Sequence, residues 1–184
     1  MKTVNALSVS EIDRVKQMLD KRYPSIYGDV FRVGINLSLR ISDLLRIKYS
    51  DLDLKNNTLI LKEMKTGKTK EIRLNNAALS VILKRRAEHP NDLWLFESNT
   101  NRSKYNPLTR HAVSRVFKEA GDRLGIVGVN THSLRKTRGS VMYKAGVPLE
   151  MIAKTLNHSS TSETLRYIGI TREQVLQTYL DYEL

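Results

Sequence analysis

Residues 131–170 read THSLRKTRGSVMYKAGVPLEMIAKTLNHSSTSETLRYIGI. Their punctuation decides how the C-terminal third folds. Thr131 to Ala145 predicts one helix, ended by Gly146, the residue type that most readily takes the left-handed turn at a helix C-terminus. Pro148 then opens a second helix in the favoured first-turn position, with Leu149, Ile152, Ala153 and Leu156 apolar. Ser160 and Glu163 stand three apart, as in a capping box, just before Tyr167. A last amphipathic helix is expected from Thr171 to Tyr182, with Val175, Leu176, Tyr179 and Leu180 apolar.

Further back, Arg110 to Leu124 is amphipathic, with Val113, Val116, Phe117, Ala120 and Leu124 on one side. Trp94-Leu95-Phe96 is a brief apolar segment, and Ala77 to Glu88 reads as helix. Thr58 to Met64 and Thr69 to Leu74 read as two strands joined at Thr66-Gly67-Lys68. A short helix follows Ser42. Asp29 to Leu39 is apolar nearly all round, the mark of a buried helix. Ser8 to Leu19 is helical, with Ser8 and Glu11 as capping box and Ile12, Val15 and Leu19 on one face. No repeat, low-complexity tract or Pro/Gly-rich linker divides the chain. The expected fold is one domain, mainly α with a small antiparallel β-sheet, in the α+β class.

The 184 residues suffice for one real core. There are no cysteines, which excludes disulfides and thiolate metal sites. His89, His111, His132 and His158 lack metal-ligand spacing, so no metal is expected. No signal peptide is expected behind Met1, and no apolar run approaches bilayer length. The charge stands out: 31 Lys and Arg against 19 Asp and Glu give +12. Such a balance suits a polyanion, with nucleic acid the leading candidate. The cations cluster, since no acidic residue lies between Ser98 and Lys118. Arg102, Lys104, Arg110, Arg115 and Lys118 are the candidate DNA-binding residues. A membrane surface fits less well, because the basic stretches lack an apolar opposite face with aromatic anchors.

Six separated residues carry the chemistry: Arg40, Lys65, His132, Arg135, His158 and Tyr167. A tyrosine hydroxyl is a nucleophile. Guanidinium forks neutralise non-bridging oxygens as negative charge builds on phosphorus. A lysine or histidine protonates the leaving oxygen. Singly, each has an ordinary structural explanation. Arg40 after a buried helix suits a salt bridge, and Lys65 a solvated turn. His132 and Arg135 make a common three-apart pair on a helix. His158 suits a cap, and Tyr167 a core position. Gly67-Lys68-Thr69 echoes the end of a P-loop, but Lys62 stands where the first glycine belongs and the context is strand-turn-strand.

In order, however, the set resembles the tyrosine site-specific recombinases of the phage-integrase family. Leu39-Arg40-Ile41-Ser42-Asp43-Leu44 matches the first arginine box and Lys65 the hairpin lysine. His132-Ser133-Leu134-Arg135 matches the His-x-Leu-Arg box. Leu156-Asn157-His158 matches the Leu-Gly-His box, with Tyr167 nine residues beyond the histidine. Ser38 and Asn157 replace usual glycines, with little consequence expected. The resemblance spans about residues 8 to 182.

It implies that Tyr167 attacks a scissile phosphate, forming a 3′-phosphotyrosyl bond and freeing a 5′ hydroxyl. Arg40 and Arg135 would hold the phosphate oxygens, Lys65 would be the general acid, His132 would assist the tyrosine and His158 would hydrogen-bond the phosphate. No cofactor is implied, because the covalent link stores the energy. The implied partner is a double-stranded DNA recombination site, on which four protomers assemble through the C-terminal helix, with accessory DNA-bending proteins. The implied location is the cytoplasm of a prokaryotic or mobile-element host. The domain expectation is a single catalytic domain, 1–184, with no N-terminal core-binding domain in this chain, which is either a shortened piece of a longer recombinase or resembles short members such as the fimbrial phase-switching invertases. Two alternatives remain open at this point. One is a helix-turn-helix DNA-binding regulator built on residues 131–158. The other is a type IB topoisomerase, which shares the tyrosine chemistry.

Overall fold

The computed structural model describes residues 6–100, 103, 105–170 and 172–181, without the side chains of residues 172 and 175. The candidates Arg102 and Lys104 lie outside the described residues, as do Thr171 and Tyr182 of the expected last helix. The helices are α1 (Val9–Arg22), α2 (Ser25–Leu37), α3 (Ile41–Leu45), α4 (Asn76–Glu88), α5 (Arg110–Leu124), α6 (Thr131–Lys144), α7 (Leu149–Leu156), α8 (Thr161–Ile168) and α9 (Arg172–Asp181). The strands are β1 (Leu52–Asp53), β2 (Thr58–Lys62) and β3 (Thr69–Arg73). They form one antiparallel sheet in the order β1-β2-β3, with Leu59 opposite Ile72 and Lys62 opposite Thr69.

Local signals account for most boundaries. Ser8 and Glu11 close the expected capping box on α1. Asn75, Thr109 and Asn130 cap α4, α5 and α6 through side-chain oxygens. Three expectations need correction. Helix α2 begins at Ser25, four residues before Asp29, because Pro24 supplies the extended backbone that precedes a first turn. Pro148 is the N-cap of α7, outside its first turn. The box at Ser160 is half made. Ser160 caps the Glu163 amide, but the Glu163 carboxylate accepts from the amide and hydroxyl of Ser159. Strand β1 is an addition, too short to show a two-residue period.

The buried helix α2 is the centre of the molecule. Val30, Phe31 and Val33 are fully buried, and Phe31 meets Phe117 of α5 edge-on with ring centres 5.6 Å apart. Val15, Leu19, Leu44, Ile82, Phe96 and Leu134 complete the same core. Arg85 and Asp29 form a buried ion pair at 3.2 Å, and Arg85 Nε donates to the Leu95 carbonyl at 2.7 Å. Two glycines set how closely the site-bearing helices approach. A Cβ on Gly34 of α2 would meet Leu134 Cδ1 at 2.7 Å, so its absence brings α6 against α2. A Cβ on Gly139 of α6 would meet Leu156 at 3.1 Å and Ile168 at 3.2 Å, which brings α7 and α8 in on the other side.

Candidate active site

All six residues chosen for chemistry line one pocket of about 210 Å³, together with Arg110 and Glu163. They arrive on different elements. Arg40 precedes α3, and Lys65 stands on the turn between β2 and β3. His132 and Arg135 share one face of α6, His158 follows α7, and Tyr167 closes α8. Of the five DNA-binding candidates, Arg110 reaches this pocket from the first turn of α5. Arg115 is exposed on the outer face of that helix, and Lys118 pairs with Asp122 at 2.7 Å.

Arg135 is 4% exposed. Its Nη1 donates to the Ser38 carbonyl and its Nη2 to the Leu156 carbonyl, the latter at 2.6 Å. Both carbonyls belong to helix ends. Ser38 caps α2 with φ 54° and Asn157 caps α7 with φ 50°, each in the left-handed region. That conformation leaves helix-terminal carbonyls without helical partners, and the guanidinium takes two of them. Both residues stand where glycine was expected, and glycine is the residue that pays least for a positive φ.

The hairpin is tied to the first arginine box from both sides. Asp43 of α3 is buried and accepts the Met64 amide at 3.0 Å. Arg40 donates to the carboxylate of Glu63 at 3.0 Å. The turn closes through the Gly67 amide on the Glu63 carbonyl at 2.8 Å, with Gly67 at φ 67°. Lys65 is thereby presented at the exposed tip, with Glu163 as its electrostatic neighbour.

Tyr167 packs edge-on against the His158 ring, with centres 4.9 Å apart, and its hydroxyl donates to the His132 carbonyl at 3.4 Å. Burial pushes that hydroxyl above its ordinary pKa, while Arg135 and Arg40 pull the other way. Burial also holds His132 down, helped by the charges of Arg110 and Arg135. His158 is held down by burial and by Arg135 and Arg40, against the opposing charge of Glu163. Both imidazoles therefore favour the neutral form. The Thr164 hydroxyl lies 3.3 Å from the Ser160 carbonyl and 3.0 Å from His158 Nδ1, and the imidazole tautomer decides whether the hydroxyl or Nδ1 donates between those two.

Sequence reasoning missed Glu63, Asp43 and Thr164. Glu63 left a signal, since it continues the inward alternation of Leu59 and Leu61 on β2 and carries a charge there. Among the described residues, no group of three or more His, Cys, Asp or Glu is placed to hold a metal. No helix among them is long and apolar enough to cross a membrane.

Comparison with known proteins places this geometry. The model of the phage integrase family matches residues 6–174. The chain is 33% identical over 172 residues to the "probable integrase/recombinase YoeC" of Bacillus subtilis (strain 168), covering 94% of this chain and 92% of that protein. It is 30% identical over 140 residues to the tyrosine recombinase XerA of Pyrococcus furiosus, covering 74% of this chain but 48% of that protein. The crystal structure of a XerA recombinase superposes with TM-score 0.77 at 19% identity, over all of this chain and 65% of the other. XerH bound to a palindromic difH substrate, after cleavage, superposes with TM-score 0.77 at 16% identity, over 96% of this chain and 53% of the other. The chain thus spans nearly the whole of one relative and about half of the longer recombinases. It belongs to the phage integrase family and is a tyrosine recombinase, a DNA strand transferase of site-specific recombination.

Proposed function

We propose that Tyr167 is the nucleophile of this recombinase. Its oxygen attacks the scissile phosphorus as the bond to the 5′ oxygen breaks, leaving a 3′-phosphotyrosyl link and a free 5′ hydroxyl. Neutral His132 takes the tyrosine proton, and Lys65 gives a proton to the departing 5′ oxygen. Arg40 and Arg135 hold the non-bridging oxygens through the pentacoordinate state, and Nε2 of His158 faces the same phosphate. The reverse path, with a new 5′ hydroxyl attacking, rejoins the strand. The convergence of all six groups on one pocket carries this reading.

The wider assembly is part of the proposal. The substrate is a duplex recombination site, gripped along the basic face that includes Arg110 and Arg115. Four protomers join two sites, each lending α9 to a neighbour. Leu176, Tyr179 and Leu180 of α9 are 51%, 78% and 74% exposed, which favours docking in trans over packing in cis. A helix-turn-helix regulator leaves the burial of Arg135 and the meeting of Lys65 with Tyr167 unexplained.

The test uses a pool of nicked suicide duplexes with a randomised segment, resolved on a denaturing gel. A covalent adduct that maps to Tyr167 and disappears in Tyr167→Phe supports the assignment. An adduct that persists in Tyr167→Phe and maps to Tyr179 or Tyr182 overturns it.

A further inference from the structure

The pocket gathers the cations Arg40, Lys65, Arg110 and Arg135. Like charges so close repel, yet the site is assembled. Two carboxylates compensate: Glu163, which lines the pocket, and Glu63, whose side chain has no exposed surface. Glu63 Oε2 is the hub of a closed cluster. It accepts from Arg40 Nη1 at 3.0 Å, from the Thr66 hydroxyl at 2.9 Å and from the side-chain amide of Asn157. Arg40 Nη2 in turn approaches the Asn157 carbonyl at 3.5 Å. Lys70 and Arg135 are further charged neighbours, Lys70 with its ammonium on the Thr155 carbonyl at 2.6 Å. A carboxylate buried this deeply persists only when paired and hydrogen-bonded.

Three parts of the site therefore meet at one carboxylate. Arg40 belongs to the start of α3, Thr66 to the lysine-bearing turn and Asn157 to the residue before His158. Asn157 occupies the left-handed position where glycine was expected. Asparagine tolerates that conformation better than most residues, and glycine in its place would offer no amide. The substitution is thus far from inert, because it joins α7 to the hairpin.

We propose that Glu63 and Asn157 are a positioning pair. The Asn157 amide clamps the Glu63 carboxylate, and the carboxylate holds the Arg40 guanidinium in its phosphate-binding pose while pinning the turn that carries Lys65. Neither residue touches the substrate. The proposal rests on the assignment of Arg40 and Lys65 to the scissile phosphate.

The test compares wild type, Glu63→Gln, Asn157→Gly and the double variant. Glutamine keeps the shape and an acceptor oxygen without the charge, and glycine keeps the left-handed turn without the amide. The substrate is a nicked duplex recovered by covalent capture from the randomised pool. Each single variant should lower the single-turnover rate at saturating DNA by about tenfold or more, the scale of a small misplacement of catalytic groups. The dissociation constant for the same duplex should stay within about twofold of wild type, or tighten in Glu63→Gln, where one anion is gone. The double variant should be no slower than the slower single one, because the two residues act as a unit. Unchanged rates, losses that multiply, or losses matched by weaker binding overturn the pair.

A second readout needs no DNA. Restricted rotation of Arg40 should give two resolved Nη resonances in wild type that merge in both single variants while the melting transition remains cooperative. Merged signals already present in wild type overturn the clamp. If wild type yields no adduct while the Arg40 signals behave as expected, the phosphate roles fail and the positioning role with them, and only the contact between Glu63 and Arg40 is left.

Discussion

The guanidinium of Arg135 is anchored on the backbone carbonyl of Ser38, 97 residues earlier in the chain. The second anchor is the carbonyl of Leu156, and both are helix-end oxygens freed by left-handed turns. The arginine is a joint between α2, α6 and α7 and also lines the pocket with Tyr167. Its orientation is settled before any phosphate arrives, which is the preorganisation that electrostatic catalysis requires.

Arg135→Lys should therefore fail although the charge is kept. An ammonium has no planar fork with which to hold two carbonyls and still present donors to a phosphate. The rate of covalent adduct formation should fall by at least ~10²-fold, as when one transition-state donor is removed. Near-normal cleavage by this variant would reduce Arg135 to a structural part.

Ser38→Gly should stabilise the protein. Serine at φ 54° carries left-handed strain that glycine lacks, and its buried hydroxyl has no hydrogen-bond partner. The gain is about 1 kcal/mol. For a chain of this size that is about 2–4 °C in Tm by calorimetry. A fall in Tm would show that the hydroxyl contributes packing worth more than the strain.

Acid should act on stability and cleavage at different points. Burial holds His132 and His158 below their ordinary 6.5, so the unfolded chain takes up these protons first as the pH falls. Their contribution is present above 6.5 and is lost as the pH drops through the depressed folded values. Urea midpoints should fall on acidification through this window, and less steeply in His132→Gln. If His132 is the base for the tyrosine proton, cleavage needs it neutral, so the rate should hold level past 6.5 and drop only at lower pH. Tyr167 works at the other end. Its raised pKa contributes stability below 10.0 that is lost as the pH rises through the higher folded value. A cleavage rate that halves at or above pH 6.5 would remove His132 from the role of base.

Salt should separate the cations of α5. Arg115 is exposed and has no acidic partner among the described residues, whereas Lys118 already pairs with Asp122. If Arg115 neutralises one phosphate, Arg115→Ala lowers the slope of log affinity against log salt by about 0.9. Lys118→Ala should change it less. Titrations of a fluorescent duplex at several salt concentrations give both slopes, and equal slopes for wild type and Arg115→Ala would take that residue off the DNA path.

The sequence alone determined what depends on near neighbours. The capping box at Ser8, the span of α5 and the β2–β3 hairpin rest on contacts within a few residues, so a short window contains their whole cause. The six residues that meet in one pocket were legible for another reason: their types, order and the nine-residue step from His158 to Tyr167 form a pattern that needs no coordinates. The early start of α2, the pairing of β1 and the role of Glu63 were not legible in this way. Nor were the carbonyl anchors of Arg135 or the bond from Asn157 to Glu63. Glu63 and Asn157 are 94 positions apart, and no local propensity links them. Only packing of α2, α6 and α7 around Gly34 and Gly139 closes those distances. Once closed, burial strengthens each charge interaction and makes an unpaired polar group costly, so tertiary structure decided which charges are partners and which face the substrate.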